Sequence, residues 1–313
     1  MSLSLYSPLS ISDQYTVQQL IEDITAKLDT ADIFFGHGVD NALDEAVWLV
    51  SSQLHFDAGE IDDQLGQTVD AGDQQKISDI LQRRINEHIP LAYLLKETWF
   101  GGYKFYIDER VIVPRSHIVS VIEDRFEPWS DSNNIKHVLD LCTGSGCIAI
   151  AIAHAFADAT VDAVELSPGA IEVANINVRQ HGLQHRVNVI HSDLFSELSG
   201  NQYDLIVSNP PYVGTEEMQS LPNEFLKEPN MALETGDEGL EIALEILAEA
   251  GKYLTPNGLL VMEVGNTAHA LQQRFPDVPF MWLATYQEED TVFALTTEEL
   301  QKYADIFLQA INT

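Results

Sequence analysis

Cysteine is nearly absent from this chain of 313 residues: Cys142 and Cys147 are the only two, and they flank a Thr-Gly-Ser-Gly stretch. Two such residues supply neither a disulfide framework nor the four-ligand spacing of a structural zinc site, so both are read as reduced, with structural or backbone roles. Long hydrophobic runs are missing as well. The richest, CIAIAIAHAF, falls short of the roughly eighteen residues that a membrane helix needs. The first residues carry no basic region followed by an apolar core, so a cytoplasmic protein with no membrane partner is expected. Basic charge is scarce: 16 Lys and Arg against 49 Asp and Glu leave a net charge of −33. Such a field repels nucleic acid and attracts basic partners at low salt, although solubility or a salty habitat would account for the acidity equally well. Internal repeats and low-complexity segments are lacking too. With 45% hydrophobic and 9% aromatic residues, the chain is globular and long enough for two domains.

Residues 1–95 carry helical spacing. TVQQLIEDITAKL, DNALDEAVWLVSSQL and DQQKISDILQRRINEHI each place apolar residues three and four apart, and Pro90 marks the end of the third. An N-terminal helical domain follows from this. His37 in GHGVDN is read as part of a turn rather than a metal ligand. From 96 to 113 the pattern becomes ETWFGGYKFYIDERVIVPR, in which aromatic and β-branched residues around Gly101-Gly102 predict a bridging hairpin. Beyond it, in a domain assigned to 114–313, strand and helix signals alternate: KHVLDLC, GCIAIAIAHAFA, ATVDAVELS, PGAIEVANINVRQHG, RVNVIHSD, YDLIVSNPPY, GLEIALEILAEAGKYL and GLLVMEVG. Apolar strands separated by helices indicate an α/β fold with a doubly wound parallel sheet. The end, PFMWLATYQEEDTVFALT, predicts an antiparallel hairpin at the sheet edge.

Ligands of such sheets sit at the carboxyl ends of the strands. There VLDLCTGSGCIAIA reads as strand, glycine turn and helix, with Gly144 and Gly146 allowing close backbone approach. The next strand ends at Glu165, an acid able to hold both hydroxyls of a ribose. Nicotinamide enzymes share these features, but the turn lacks a full G-x-G-x-x-G and so the usual cradle for a diphosphate. Asp140 precedes the loop, where a carboxylate suits a cationic ligand end, and Asp193 in HSDLF closes the third strand beside an adenine edge. The alternative role for both acids is to cap the turns that follow them. Together these residues suit S-adenosylmethionine, which has an adenosine and a charged amino acid but no phosphate.

The fourth strand, YDLIVS, runs into Asn209-Pro210-Pro211-Tyr212. Proline lacks an N–H and has a fixed φ, so the carbonyls here are not held in a helical ladder. The Asn209 side-chain oxygen and the Pro210 carbonyl can each accept one hydrogen of a planar NH₂ group, and Tyr212 offers a face for stacking. Two acceptors favour the pyramidal, charge-developing nitrogen of a transition state over its delocalised ground state. A strong general base is not needed, since the methylated nitrogen becomes acidic.

With DLCTGSGCIAIA, VELSP, SDLF, SNPPYV, EPNMALETGDEGL and MEVGN in place, nearly the whole chain resembles the class I S-adenosylmethionine methyltransferases, and among them the protein glutamine methyltransferases. That resemblance implies a Rossmann-like domain, N(5)-methylation of a glutamine side chain in a protein, S-adenosylhomocysteine as product, no metal, and substrate recognition by residues 1–95. It assigns the donor to Cys142, Thr143, Gly144, Ser145, Gly146, Glu165, Asp193, Leu194 and Asn209, which join Asp140 as candidate donor contacts, and the glutamine to Asn209, Pro210, Pro211 and Tyr212. One branch of the family acts on translation release factors, at a Gly-Gly-Gln loop, and another on protein three of the large ribosomal subunit. FFGHGVDNALDEAVWLV, RRINEHIPLAYL and WFGGYKFYIDERVIVPRSHI resemble the ribosomal branch more closely, implying a basic ribosomal protein as substrate, met before assembly. Arg115, Glu228 and Glu263 match recurrent family positions without a role that the sequence defines. The rival readings are a nucleic-acid amine methyltransferase, which the −33 charge disfavours, a non-catalytic assembly factor that holds the cofactor, and a nicotinamide oxidoreductase, which would have no use for NPPY.

Overall fold

Helix caps spelled out in the sequence set the boundaries of the N-terminal elements. Helix α1 (Val17–Asp29) starts at Thr16, whose hydroxyl accepts the Gln19 N–H while the Gln19 side chain returns to the Thr16 backbone. Asn41 caps α2 (Ala42–Leu54). After the short α3 (Ile61–Gln64), Asp70 caps α4 (Ala71–Glu87) through the N–H groups of Gly72 and Asp73. The helix stops at Glu87 because His88 turns left-handed at φ +53°. Pro90 therefore does not end this helix, as the sequence reading had it; it opens a further one, α5 (Leu91–Leu95). A residue ahead of proline avoids the helical region, so the stop must come before residue 89.

The computed structural model describes residues 8–12, 14–286 and 290–311. Two units divide the chain: Met1–Thr98 with Ile107–Glu109 and Leu221–Lys227, and Trp99–Tyr106 with Arg110–Ser220 and Glu228–Thr313. The first unit buries Leu20, Ile24, Leu28, Leu49 and Ile77 completely. Among them stands a charge. Arg84, 2% exposed, donates to Glu45 Oε1 at 2.6 Å, to Glu224 Oε1 at 2.9 Å and to the Phe34 carbonyl at 2.8 Å. Glu224 also accepts the Phe34 N–H at 3.0 Å. Residues 221–227, placed by the sequence reading in the 114–313 domain, thus belong to the helical unit, because a guanidinium this deep requires acceptors on several sides.

β1 (Thr98–Phe100) and β2 (Tyr103–Phe105) form a hairpin, all of it but Thr98 in the second unit. Its turn residues Gly101 and Gly102 both have positive φ, as a tight hairpin turn demands. Next come α6 (Ile118–Glu123), β3 (His137–Leu141), α7 (Cys147–Ala155), β4 (Thr160–Glu165), α8 (Pro168–Gln180), β5 (Val187–His191) and β6 (Tyr203–Ser208). They are followed by α9 (Thr215–Met218), α10 (Glu241–Tyr253), β7 (Leu254–Glu263), α11 (Ala268–Arg274), β8 (Met281–Trp282), β9 (Val292–Thr296) and α12 (Thr297–Ile311). The seven-stranded sheet has the order β5-β4-β3-β6-β7-β9-β8. Its first five strands are parallel, and β9 pairs antiparallel with both β7 and β8. The expected final hairpin is therefore present, with β8 at the edge; residues 287–289 of its polar turn lie outside the described residues. Helix α7 is buried from Cys147 to Ala153, which explains its unbroken apolar run. Among the described residues no helix is long and apolar enough to cross a membrane.

Strand β3 lies between β4 and β6, so the winding direction reverses there and opens a crevice at the carboxyl ends of β3 and β6. Truncating one partner of a buried ion pair leaves an uncompensated charge. Glu224→Ala is therefore expected to destabilise the helical unit by about 3–5 kcal/mol, read as a lower midpoint in urea unfolding.

Candidate active site

The glycine turn occupies one side of this crevice. Gly146, the N-cap of α7, has no side chain with which to cap. Asp140 does so instead: its Oδ2 accepts the Ala149 N–H at 3.1 Å and the Thr143 hydroxyl at 2.5 Å. Asp140 is fully buried, its Oδ1 has no partner, and burial raises its pKa to about 7. Gly144 and Gly146 have φ of +56° and +79°; a Cβ on Gly144 would meet nothing within 4 Å. It is the turn itself, not crowding by the protein, that calls for glycine there. Cys142 shares a left-handed φ of +59°, and burial pushes its thiol well above the ordinary range, so it is no nucleophile. The buried Asn177 side chain fastens the loop from behind, donating to the Ser145 carbonyl at 2.8 Å and pairing with both backbone groups of Tyr106.

Glu165 ends β4 and gathers backbone donors: Oε2 takes the Gly144 N–H at 2.9 Å, and Oε1 those of Leu166 at 2.9 Å and Ser167 at 2.8 Å. Asp193 is exposed two residues past β5, a correction to its expected place at the strand end, and Leu194 follows at a strained φ of +43°. Strand β6 is locked to β3 by the Ser208 hydroxyl on the Leu141 carbonyl at 2.9 Å. That bond delivers the next residue, Asn209, to the rim beside Cys142. Asn209 Oδ1 is buried and has no hydrogen-bond donor.

Tyr212 is half-buried, and two glycines make room for it. A Cβ on Gly265 would stand 2.5–2.9 Å from three atoms of its ring, and one on Gly239 only 2.3 Å from its carbonyl oxygen. Burial, then the nearby Glu263 carboxylate, push its hydroxyl far above the ordinary tyrosine range. Nothing in the sequence reading singled out Gly239, Gly265 or Asn177; the signal was present only as glycines in the quoted DEGL and MEVGN stretches. The segment after the hairpin is held by two buried acids. Glu228 accepts the Val113 N–H and a fork from Arg115, and Glu263 accepts the Ser116 hydroxyl at 2.6 Å and the His117 N–H at 2.9 Å.

One cavity, about 890 Å³ including its open mouth, collects Cys142, Gly144, Glu165, Asp193, Leu194, Asn209 and Pro211 of the expected residues. Asp140, Thr143, Ser145, Gly146, Pro210 and Tyr212 stand outside its lining. For Asp140 this corrects the expected direct ligand contact: the carboxylate lies beneath the loop and supports it. Glu165, Asp193 and Glu234 face a single guanidinium, Arg110, in the wall, so the cavity suits a cationic ligand without phosphate.

The fold and this crevice define a methyltransferase, and residues 128–240 match the family described as methyltransferase small domain. The ribosomal protein uL3 glutamine methyltransferase of Francisella tularensis subsp. tularensis is 44% identical to this chain, covering 95% of each. That of Neisseria gonorrhoeae is 44% identical over 91% of this chain and 95% of its own. The chain belongs to this family, the ribosomal protein uL3 glutamine methyltransferases. Among solved structures, the hMettl16 catalytic domain in complex with MAT2A 3'UTR hairpin 1 aligns with a TM-score of 0.47 and 17% identity, over 72% of this chain and 80% of that one.

Two expectations follow from the site. A methyl group on Gly265 must displace the Tyr212 ring, so Gly265→Ala should lower the methyl-transfer rate by about tenfold or more, while a binding titration finds donor affinity little changed. Asp140, raised from 3.8 to about 7, binds a proton in the folded protein that the unfolded chain has released. Its contribution to stability is full below about pH 4 and is lost as pH rises to about 7. Asp140→Asn should therefore gain on the parent by about 4 kcal/mol across that window, and urea unfolding at a series of pH values would show the difference level off above pH 7.

Proposed function

We propose that this chain transfers a methyl group from S-adenosylmethionine to the side-chain amide nitrogen of a glutamine in ribosomal protein uL3, releasing S-adenosylhomocysteine and using no metal. The observation that carries the reading is the donor-free, buried Oδ1 of Asn209 at the crevice rim. A buried acceptor left unmet costs roughly 1–3 kcal/mol, which an incoming N–H recovers. The residues lining the cavity suit the donor: Glu165 would hold the ribose diol, Asp193 and Leu194 would flank the adenine, and Gly144, where a Cβ would meet nothing within 4 Å, would admit the amino acid part. S-adenosylmethionine, when bound, supplies a methyl group made electrophilic by its sulfonium sulfur.

The chain's own part is to bind and orient the glutamine. Asn209 Oδ1 and the Pro210 carbonyl take the two amide hydrogens, turning the nitrogen lone pair toward the cavity. These acceptors bind the developing cationic nitrogen more tightly than the planar amide, and that difference lowers the barrier. Tyr212, braced on Gly265, flanks the amide. The proton left on the methylated nitrogen is acidic and departs to solvent, so the buried carboxylates need not act as bases. The strongly acidic chain suits a free, basic ribosomal protein before assembly, and the helical unit is read as the part that selects it.

A labelled-methyl transfer assay offering free uL3 and a release factor side by side tests this reading. Label on a uL3 glutamine, reduced about 10²–10³-fold by Asn209→Ala, is the expected result. Label on the release factor alone would keep the chemistry and overturn the substrate.

A further inference from the structure

Two strips of chain, distant in sequence, both wall the cavity: residues 110–112 and residues 229–235, the latter through Pro229, Met231, Ala232, Glu234 and Thr235. One carboxylate joins them. Glu228, immediately before the second strip, takes through Oε1 the Val113 N–H at 2.8 Å, just past the end of the first. The same carboxylate receives both arms of Arg115, Nη1 to Oε1 at 2.7 Å and Nη2 to Oε2 at 2.8 Å, while Nη1 also reaches the Val113 carbonyl at 3.1 Å. The Glu228 side chain is 0% exposed and that of Arg115 25%, so solvent screens the pair little. Neither residue lines the cavity. At its other end the first strip is fastened independently: Arg110 pairs with Glu172 at 2.6 Å, and its stem packs on Gly169 in the first turn of α8.

We propose that Arg115 and Glu228 are positioning residues: their forked ion pair fixes the two strips against each other and thereby sets the shape of the donor cavity. A fork has direction as well as strength, because a planar guanidinium and a planar carboxylate meet in one orientation. Lysine keeps the charge but cannot make the fork. The proposal takes the donor's identity from the function proposed above and concerns a different step, the shaping of the pocket before any glutamine arrives.

Hydrogen exchange of the ligand-free protein and calorimetric titration with S-adenosylhomocysteine test it on Arg115→Lys and Glu228→Gln. In both variants, amides of 111–113 and of 230–235 are expected to exchange about tenfold faster together, and the Kd to rise about tenfold or more. The donor KM should follow that Kd, with kcat nearly unchanged. Faster exchange confined to the strip that bears the substitution, or an unchanged Kd, would overturn the proposal. If Glu228→Gln does not fold, Arg115→Lys decides alone, since it leaves no buried carboxylate without a cation. Wild-type protein that binds S-adenosylhomocysteine yet methylates no uL3 would sink the substrate reading, while the exchange and titration results would still decide the clamp.

Discussion

A buried carbonyl oxygen that meets no donor is an unmet hydrogen bond, and the second unit is arranged around one. Asn209 Oδ1 sits at the carboxyl end of β6 only because the sheet reverses its winding between β3 and β6, and because Ser208 ties those two strands at that level. The prolines after it contribute no N–H that could satisfy the oxygen locally. Tyr212 is wedged over backbone that only glycine leaves clear, at positions 239 and 265. The energy left unspent in the fold at this point is available to a ligand. That is how a rigid scaffold can favour one nitrogen in one orientation without a charged base.

Around that acceptor the framework is built from carboxyl groups used as structural clasps, three of them buried and Glu165 half-buried. Asp140 caps α7 in place of the absent side chain of Gly146, Glu165 collects three backbone N–H groups, and Glu228 and Glu263 hold the segment 113–117. Each would be costly alone, and each is met by several donors, as burial of an acid requires. The helical unit follows the same rule with the sign reversed, since its buried Arg84 draws in Glu45, Glu224 and the Phe34 carbonyl. Much of the chain's acidity is on its surface, but these acids are not surplus charge.

Much of this was legible in the sequence where local chemistry decides the outcome. The three- and four-residue apolar spacing announced α1, α2 and α4, the apolar runs of β3, β6 and α7 announced a sheet covered on both faces, and the motif residues Cys142, Gly144, Glu165 and Asn209 do converge on one cavity. What stayed hidden depends on partners far away in the chain. Arg115 could be noticed but not interpreted without Glu228, residues 221–227 could not be assigned to the helical unit without Arg84, and Asp140 looked like a ligand contact because nothing local reveals which way a buried carboxylate turns. The stop of α4 at His88 rather than Pro90 was missed for the opposite reason: the signal was local, but proline acts on the residue before it and the helix had to end earlier still.

The cavity's charge adds a last step. Glu165, Asp193 and Glu234 against Arg110 leave its wall negative, and on the proposed function the donor enters with a sulfonium cation that its product lacks. Such a wall attracts the donor more than the product, so the field that helps to bind one helps to release the other. It also opposes the reaction slightly, because positive charge is leaving the sulfur as the methyl moves. On the same proposal the offset would lie at the rim, where Asn209 Oδ1 would meet the charge arriving on nitrogen, and the distance between these two places would decide how much of the field is lost before it is regained. A cavity of fixed shape is therefore worth more here than a strongly charged one, which is consistent with carboxylates being spent on clasps rather than on the methyl group itself.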